Sequence, residues 1–314
     1  MKNYYEEYIK INGINHYFLN YPNESDVVIL YLHGGPGGSE AFLAYKTKDE
    51  RVKCNFVYYD QRGAGKTQLK SPLTTEEVTL ENLLLDLEEI IKYVKRKYQT
   101  NKIILLGHSW GSVLGTCYIK KHPNDVLCYV GMGQVIDFMM GEKLSYDKLE
   151  QIIEKSNNKK HAEYFKKFKG YPYNVTKENF LSTILDFRKL QSKCGLTDGL
   201  WKRIKNLIIQ LESPILGIKG IRSLINSGGM EISKKLVDCL FSYSIINDNE
   251  YKLPIYYICG RNDWQVPSVL VSDYFKTINA QKKKLYWIEN AGHLTDIDNP
   301  NGYNDTLLDI ISNL

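Results

Sequence analysis

Apolar positions along the chain change period several times, and the changes outline its elements. Tyr5 to Ile11 and Asn15 to Asn20 read as strands joined by an Asn12-Gly13 turn, so the chain opens with a hairpin. Val27 to Leu32 and Phe56 to Tyr59 follow as solid apolar runs of buried-strand length. Behind a capping Thr79, the residues Leu80, Leu83, Leu84, Leu87, Ile91 and Val94 recur at helical spacing and predict a long amphipathic helix. It leads into Ile103 to Leu106, a strand apolar on both faces. A helix from Ser112 to Lys121 and a further apolar strand, Val126 to Met132, come next. Strands buried on both faces and alternating with helices belong to a parallel sheet, so the class is α/β.

The pattern returns late in the chain. Ile255 to Cys259 and Leu285 to Ile288 read as strands, a helix between them carries Leu270, Val271, Tyr274, Phe275 and Ile278, and a last helix starts near Asn304. Between about Asp137 and Glu250 the sequence is instead rich in Lys, Asn and Glu, with helical spacing and no strand. The expected organisation is a core formed by residues 1–136 and 251–314, interrupted by a helical insertion at 137–250. Pieces inserted at strand ends usually cover a site.

Composition narrows the function classes. The 314 residues carry a net charge of +5, with 43% hydrophobic and 25% charged residues, the proportions of a globular protein. No apolar run approaches the roughly 20 residues of a membrane-spanning helix, and MKNYYEEYIK has no apolar segment after Lys2, so neither a membrane protein nor a secretory leader is expected. Six cysteines without a Cys-x-x-Cys pair read as reduced thiols of a cytoplasmic protein. The histidines lack metal spacing, so no metal is expected. Lysines are scattered among acids and form no basic face, so no nucleic-acid partner is expected. The oligomeric state is not readable.

The chemistry concentrates at strand ends. Gly107-His108-Ser109-Trp110-Gly111 joins the strand ending at Leu106 to the next helix, the context in which Gly-x-Ser-x-Gly holds a serine nucleophile on a sharp turn. Side chains two residues before and after such a serine would meet neighbouring backbone, which requires glycine. A serine needs a base, and the base needs a carboxylate to orient it. Gly260-Arg261-Asn262-Asp263 and Asn290-Ala291-Gly292-His293 each follow a strand, which makes Ser109 the candidate nucleophile, His293 the base and Asp263 its orienting acid. The glycine loop His33 to Gly38 lies where one oxyanion-hole donor is expected, so the N–H groups of Gly35 and Trp110 are the candidates.

Rival residues have plainer readings. His108 should diverge from Ser109 and pack, and His33 should support its glycine loop. His16, His122 and His161 fall on surface or cap segments, while Asp296 and Asp298 should cap the last helix. Asp60 is the main rival acid. Gly63-Ala64-Gly65-Lys66-Thr67 ends like a phosphate-binding loop, but Asp60 stands where the first glycine should be and Pro72 blocks the helix required after Thr67. Asp60 to Gly63 then reads as a strand-end turn. Gly131-x-Gly133 lacks the third glycine of a dinucleotide site, Ile136 standing in its place.

The motifs HGGPGG at 33–38, YDQRGAGKT at 59–67, GHSWGS at 107–112, GRND at 260–263 and AGH at 291–293 together resemble the α/β-hydrolase fold family. More narrowly, they resemble its proline iminopeptidase group of serine peptidases. The resemblance implies a mostly parallel sheet flanked by helices with an inserted helical cap. It also implies cofactor-free release of an N-terminal residue, often proline, from short peptides. His108 stands where the group commonly has glycine, and Lys66-Thr67 replaces a more usual Arg-Ser. Such aminopeptidases hold the substrate ammonium with cap acids; Glu212, beside Ser213-Pro214, is one candidate. The expected partner is a small peptide or a small acyl substrate. An esterase or lactonase uses the same residues, and a ligand-binding protein or a P-loop nucleotidase are the readings from other classes.

Overall fold

The computed structural model describes residues 4–176, 178–215, 231 and 233–314. The opening hairpin forms as expected, β1 (Tyr5–Ile11) and β2 (Ile14–Tyr21), with Asn12 at φ 49° and Gly13 at φ 84° supplying the turn. Next come β3 (Val27–Leu32), α1 (Ala44–Thr47), β4 (Asn55–Tyr59), α2 (Gly65–Lys70), α3 (Leu80–Tyr98), β5 (Lys102–His108), α4 (Trp110–Lys121) and β6 (Cys128–Met132). Helices α5 (Phe138–Ser156), α6 (Lys159–Phe165), α7 (Phe180–Lys193), α8 (Leu200–Glu212) and α9 (Lys234–Ser242) follow. The chain then returns through β7 (Ile255–Gly260), α10 (Ser268–Thr277), β8 (Lys283–Ile288), α11 (Thr295–Asp298) and α12 (Pro300–Ser312).

One sheet holds all these strands in the order β1-β2-β4-β3-β5-β6-β7-β8, antiparallel only at the β1-β2 and β2-β4 pairs. Alternation along the central strands decides which residues face which layer. In β5, Ile103 and Leu105 join the cluster packed under α3 and α4, whereas Ile104 and Leu106 join the one packed under α12. Both faces are covered, which is why these strands lack polar positions. Between β6 and β7 the described residues include α5 to α9, and an antiparallel bridge between Asp137 and Ser244 closes the excursion at its base. The aromatic cluster of Phe165, Phe168, Tyr171 and Phe187 lies in this part, separate from the two sheet clusters. Among the described residues no helix is long and apolar enough to cross a membrane.

The rejected phosphate-loop segment has a structural explanation. The helix after Gly63 is cut short as expected: it spans only Gly65–Lys70 and stops before Pro72. The Lys66 N–H donates to Asp60 Oδ2 at 2.6 Å, and a Cβ on Gly65 would sit 2.1 Å from that oxygen. Thr67 donates through Oγ1 to the Asp60 carbonyl at 2.6 Å and accepts from the Tyr17 N–H at 2.9 Å. These side chains brace a turn against β2. Asp60, the rival acid, is consumed by Ser39 and Lys66 and is buried in that turn.

Arg62 reaches away from the turn and binds Asp86 of α3 through two parallel bonds, Nε to Oδ2 at 2.7 Å and an Nη to Oδ1 at 2.8 Å. Asn12 donates to the same carboxylate at 2.9 Å. His16, expected at the surface, is fully buried with Nε2 3.4 Å from Asp86. One carboxylate thus joins the hairpin, the turn after β4 and α3. Removing the guanidinium would leave Asp86 buried without its cation, so Arg62→Ala should lower unfolding stability by about 3–5 kcal/mol, read as a lower urea midpoint. A shift within error of zero would show that water replaces the pair at no cost.

Candidate active site

Ser109 occupies the single residue between β5 and α4, with φ 52° and ψ −119°. A non-glycine residue rarely holds such a backbone, and only tight surroundings maintain it. Those surroundings explain the flanking glycines: a Cβ on Gly107 would lie 2.5 Å from the Gly111 carbonyl oxygen, and one on Gly111 would lie 2.0 Å from that of Leu32. The Ser109 N–H donates to the Met132 carbonyl at 3.0 Å, fixing the turn to the end of β6. α4 begins at Trp110, two residues before the expected Ser112, so its positive end and free N–H groups start beside the serine.

The two other candidates meet at the ends of β7 and β8. His293 Nδ1 lies 2.8 Å from Asp263 Oδ2. The other oxygen, Oδ1, accepts from the N–H groups of Gln265 and Val266, both at 2.9 Å. Asp263 is buried and His293 partly exposed. A carboxylate held by two backbone donors cannot rotate away from the imidazole, so it fixes Nδ1 as the protonated nitrogen and leaves Nε2 free to accept. Gly133, at φ 54°, makes room for this pair: a Cβ there would lie 3.1 Å from His293 Cε1 and 3.5 Å from Asp263 Oδ2.

Across the serine, the loop after β3 folds tightly at Gly35, whose φ is 132° and whose Cβ would lie 2.8 Å from the Gly38 nitrogen. His33 supports it as expected. Its Nε2 accepts from the Gln61 N–H at 2.9 Å, which leaves the proton on Nδ1, 2.8 Å from the Gly34 carbonyl. Gln61 also donates to the His33 carbonyl at 2.9 Å and accepts from Trp110 Nε1 at 3.0 Å. The turn after β4 therefore locks the glycine loop to the start of α4.

Ser109 and Gly35 line two adjoining cavities. One, about 420 Å³, is walled mainly by apolar side chains, among them Phe138, Phe180, Ile184, Val266 and Leu270, and includes Trp110. The other, about 630 Å³, is more polar and includes His293, Asp263, Asn262 and Lys202. Arg188 and Leu185 border both. Glu142, buried in the wall of the apolar cavity, accepts from the Tyr171 hydroxyl at 2.5 Å and pairs with Arg188. Among the described residues no group of three or more His, Cys, Asp or Glu side chains is arranged to hold a metal ion.

The family described as the alpha/beta hydrolase fold matches residues 27–300. The chain belongs to that family. A probable aminopeptidase of Bacillus subtilis is 25% identical over 305 residues, covering 96% of this chain and 92% of its own. A proline iminopeptidase of Saccharolobus solfataricus is 37% identical over 118 residues, covering 37% of this chain and 36% of its own. Among solved structures, the proline iminopeptidase-related protein of Thermus thermophilus superposes with a TM-score of 0.70 at 17% identity, over 98% of this chain and 97% of that one. An epoxide hydrolase of Vigna radiata gives 0.62 at 14% identity, over 100% and 99%. The relatives named proline iminopeptidase agree with the resemblance in the motifs.

Several polar residues of this α/β-hydrolase sit elsewhere than the sequence implied. Asp296 and Asp298 do not cap the last helix, which starts at Pro300, earlier than expected. Asn299 caps it by accepting from the Gly302 N–H at 3.0 Å. Asp298 instead accepts from the Gly292 N–H at 2.7 Å, next to His293, and Asp296 is buried, which pushes its carboxyl up to about 6. Glu212 is exposed, lies 3.5 Å from Lys46 and lines neither cavity, so it is not placed to meet a substrate. His108 does diverge from Ser109, yet it does more than pack: Nδ1 is 2.9 Å from Glu40 Oε1, and Nε2 is 3.0 Å from the backbone oxygen of His293. A lone histidine in the turn motif and a glutamate after the glycine loop gave no signal of this pairing.

That pair should make stability pH-dependent. Burial disfavours both charges, but each partner outweighs it, holding Glu40 down at about 2 and His108 up at about 9. The Glu40 contribution is present above the ordinary carboxylate value and is lost as pH falls through about 2. The His108 contribution is complete below the ordinary imidazole value and is lost as pH rises through about 9. Unfolding free energy should therefore fall by on the order of 3 kcal/mol between pH 6.5 and 10. Urea titrations of the unaltered chain and of Glu40→Gln check this, and an equal fall in the variant would assign the slope to other groups.

Proposed function

We propose that the chain is a serine hydrolase that works through an acyl-enzyme, and that its substrates are short peptides from which it releases the N-terminal residue, proline among them. The observation that carries the hydrolase reading is the 2.8 Å contact between His293 and Asp263 in a cavity that also holds Ser109 on its positive-φ turn. The peptidase reading rests on relatives named as aminopeptidases and proline iminopeptidases.

In this reading Ser109 Oγ bonds to the substrate carbonyl carbon while His293 Nε2 takes the hydroxyl proton, and the carbonyl π electrons move onto oxygen. The N–H groups of Gly35 and Trp110 receive that oxyanion. His293 then protonates the leaving amine as its bond to carbon breaks. Water, deprotonated by the same imidazole, releases the acyl group. Asp263 stabilises the imidazolium formed at each step without taking its proton. The described residues between 137 and 250 serve as a cap over the two cavities, the apolar one receiving the residue to be released and the polar one the remainder of the peptide.

A second reading, an esterase, is favoured by one observation: Glu142, a buried carboxylate in the wall of the apolar cavity, already has Arg188 and the Tyr171 hydroxyl as partners. An ester substrate needs no acid to hold an ammonium.

Proline and other aminoacyl amides, their N-blocked counterparts and short acyl p-nitrophenyl esters, each with the unaltered chain and with Ser109→Ala, separate the readings. The expected result is cleavage of free aminoacyl amides, little cleavage of blocked ones, and a loss of about 10⁴-fold or more in kcat for Ser109→Ala with the fold retained. Turnover of esters alone would replace the peptidase by the esterase, and near-normal turnover by Ser109→Ala would remove the nucleophile.

A further inference from the structure

The proposed reaction leaves a buried charged pair unexplained between the serine turn and the loop that carries the base. His108 Nδ1 is 2.9 and 3.0 Å from the two oxygens of Glu40, and its Nε2 is 3.0 Å from the backbone oxygen of His293. A backbone carbonyl can only accept, so Nε2 carries a proton; an ionised carboxylate can only accept, so Nδ1 carries one as well. The geometry thus requires an imidazolium. It also links distant parts of the chain, because His108 is covalently next to Ser109 while the oxygen it holds belongs to His293.

We propose that His108, kept protonated by Glu40, is a positioning residue for the reaction, its Nε2–H fixing the backbone of His293 relative to the adjacent Ser109. The inference rests on the proposed roles of Ser109 and His293. The anchoring is stiff for physical reasons. His108 is 2% and Glu40 15% exposed, so water does not compete freely for the pair. Glu40 is itself held by the Tyr31 hydroxyl at 3.0 Å, and a Cβ on Gly34 would meet Glu40 Oε1 at 2.9 Å and Ser109 Cβ at 3.1 Å. A side chain at position 34 would therefore press on the acid and the serine at once.

Loss of one proton would invert the contact. Glu40 retains the Nδ1–H, Nε2 is left with a lone pair, and two acceptors then face each other across 3.0 Å. The His293 loop must move, and misplacement of a base by about 1 Å can cost about 10²-fold in rate. The groups facing His108 are Glu40 from the loop after β3, Asp296 from α11 and His293 itself, whose ring centroid is 4.9 Å away; His33 and Tyr31 act on Glu40. Burial opposes the His108 charge and Glu40 outweighs it, which places the loss of the proton near pH 9. The proposal therefore gives the chemistry an alkaline limit that belongs neither to the nucleophile nor to the base.

The rate at which a fluorophosphonate labels Ser109 tests this without knowledge of the natural substrate. Three chains are compared from pH 6 to 10.5, with circular dichroism to confirm folding: the unaltered one, His108→Gly, and the double variant His108→Gln with Glu40→Gln, whose amides can bond but not titrate. The expected results are a labelling rate that falls through about pH 9 in the unaltered chain, a rate about 10- to 100-fold lower for His108→Gly near pH 7, and no fall near pH 9 in the double variant. Should His108→Gly not fold, the double variant carries the test. A fall near pH 9 that persists in the double variant overturns the proposal, as does unchanged labelling of a folded His108→Gly. No labelling of Ser109 in the unaltered chain overturns the hydrolase reading beneath it, a different result from labelling that ignores His108.

Discussion

Backbone meeting backbone without intervening side chains is the constraint on which the arrangement at the sheet's end depends. A Cβ on Gly111 would fall 2.0 Å from the Leu32 oxygen, and one on Gly260 would fall 2.2 Å from the Gly292 oxygen. The first contact presses the serine turn onto the end of β3, from which the Gly35 loop departs. The second presses the end of β7 onto the loop before His293. The candidate nucleophile, oxyanion donor, acid and base are thus supported by strand ends that touch directly, and any side chain at these points would separate groups whose proposed chemistry tolerates little displacement. The positive φ of Ser109 follows from the same crowding.

Glycines of this kind are readable from sequence because their reason is local. Gly-x-Ser-x-Gly between a strand and a helix, and a run of glycines after β3, announce close approach before any partner is known. The strands were equally legible, since their apolar runs need both faces covered. What stayed hidden was the destination of polar side chains. His16 looks like a surface residue on an edge hairpin, yet α3 supplies Asp86 and the turn after β4 supplies Arg62, so the site is closed by residues far along the chain. Asp296 and Asp298 look like helix caps because Asp is favoured there, but Asn299 lies nearer the first turn and competes successfully. Glu212 had no signal beyond its charge, and it pairs at the surface.

Charge inside this molecule is consistently used to join segments. Asp86 ties hairpin, turn and α3; Glu40 ties the glycine loop to the serine turn; Glu142 ties α5 to Tyr171 and to Arg188 of α7. Buried pairs of this sort contribute little net stability compared with well-packed apolar residues, because desolvation offsets most of the attraction. Their cost when broken is nevertheless high, so each makes one relative placement of its segments much cheaper than the alternatives. Placement, more than stability, is what the strand-end loops need.

The same economy bears on the substrate. An ammonium entering the apolar cavity gives up its hydration and must recover it from a carboxylate. Among the described residues that line it, Glu142 is the fully buried acid, and its oxygens already serve a guanidinium and a phenol. A substrate amine could use it only by sharing it with Arg188, which places two cations around one anion and raises the electrostatic cost of binding. Arg188 also accepts no such penalty lightly, because its other contacts, to Gln191 Oε1 at 2.8 Å and the Gln265 oxygen at 3.5 Å, hold it between the two cavities. In the proposed reaction Ser109, His293 and Asp263 serve an amide or an ester alike, so the Glu142–Arg188 pair is where charge would discriminate. In the proposed peptidase reading, selection between a free and a blocked amino group falls to that pair, in a stretch of sequence where no motif marks it.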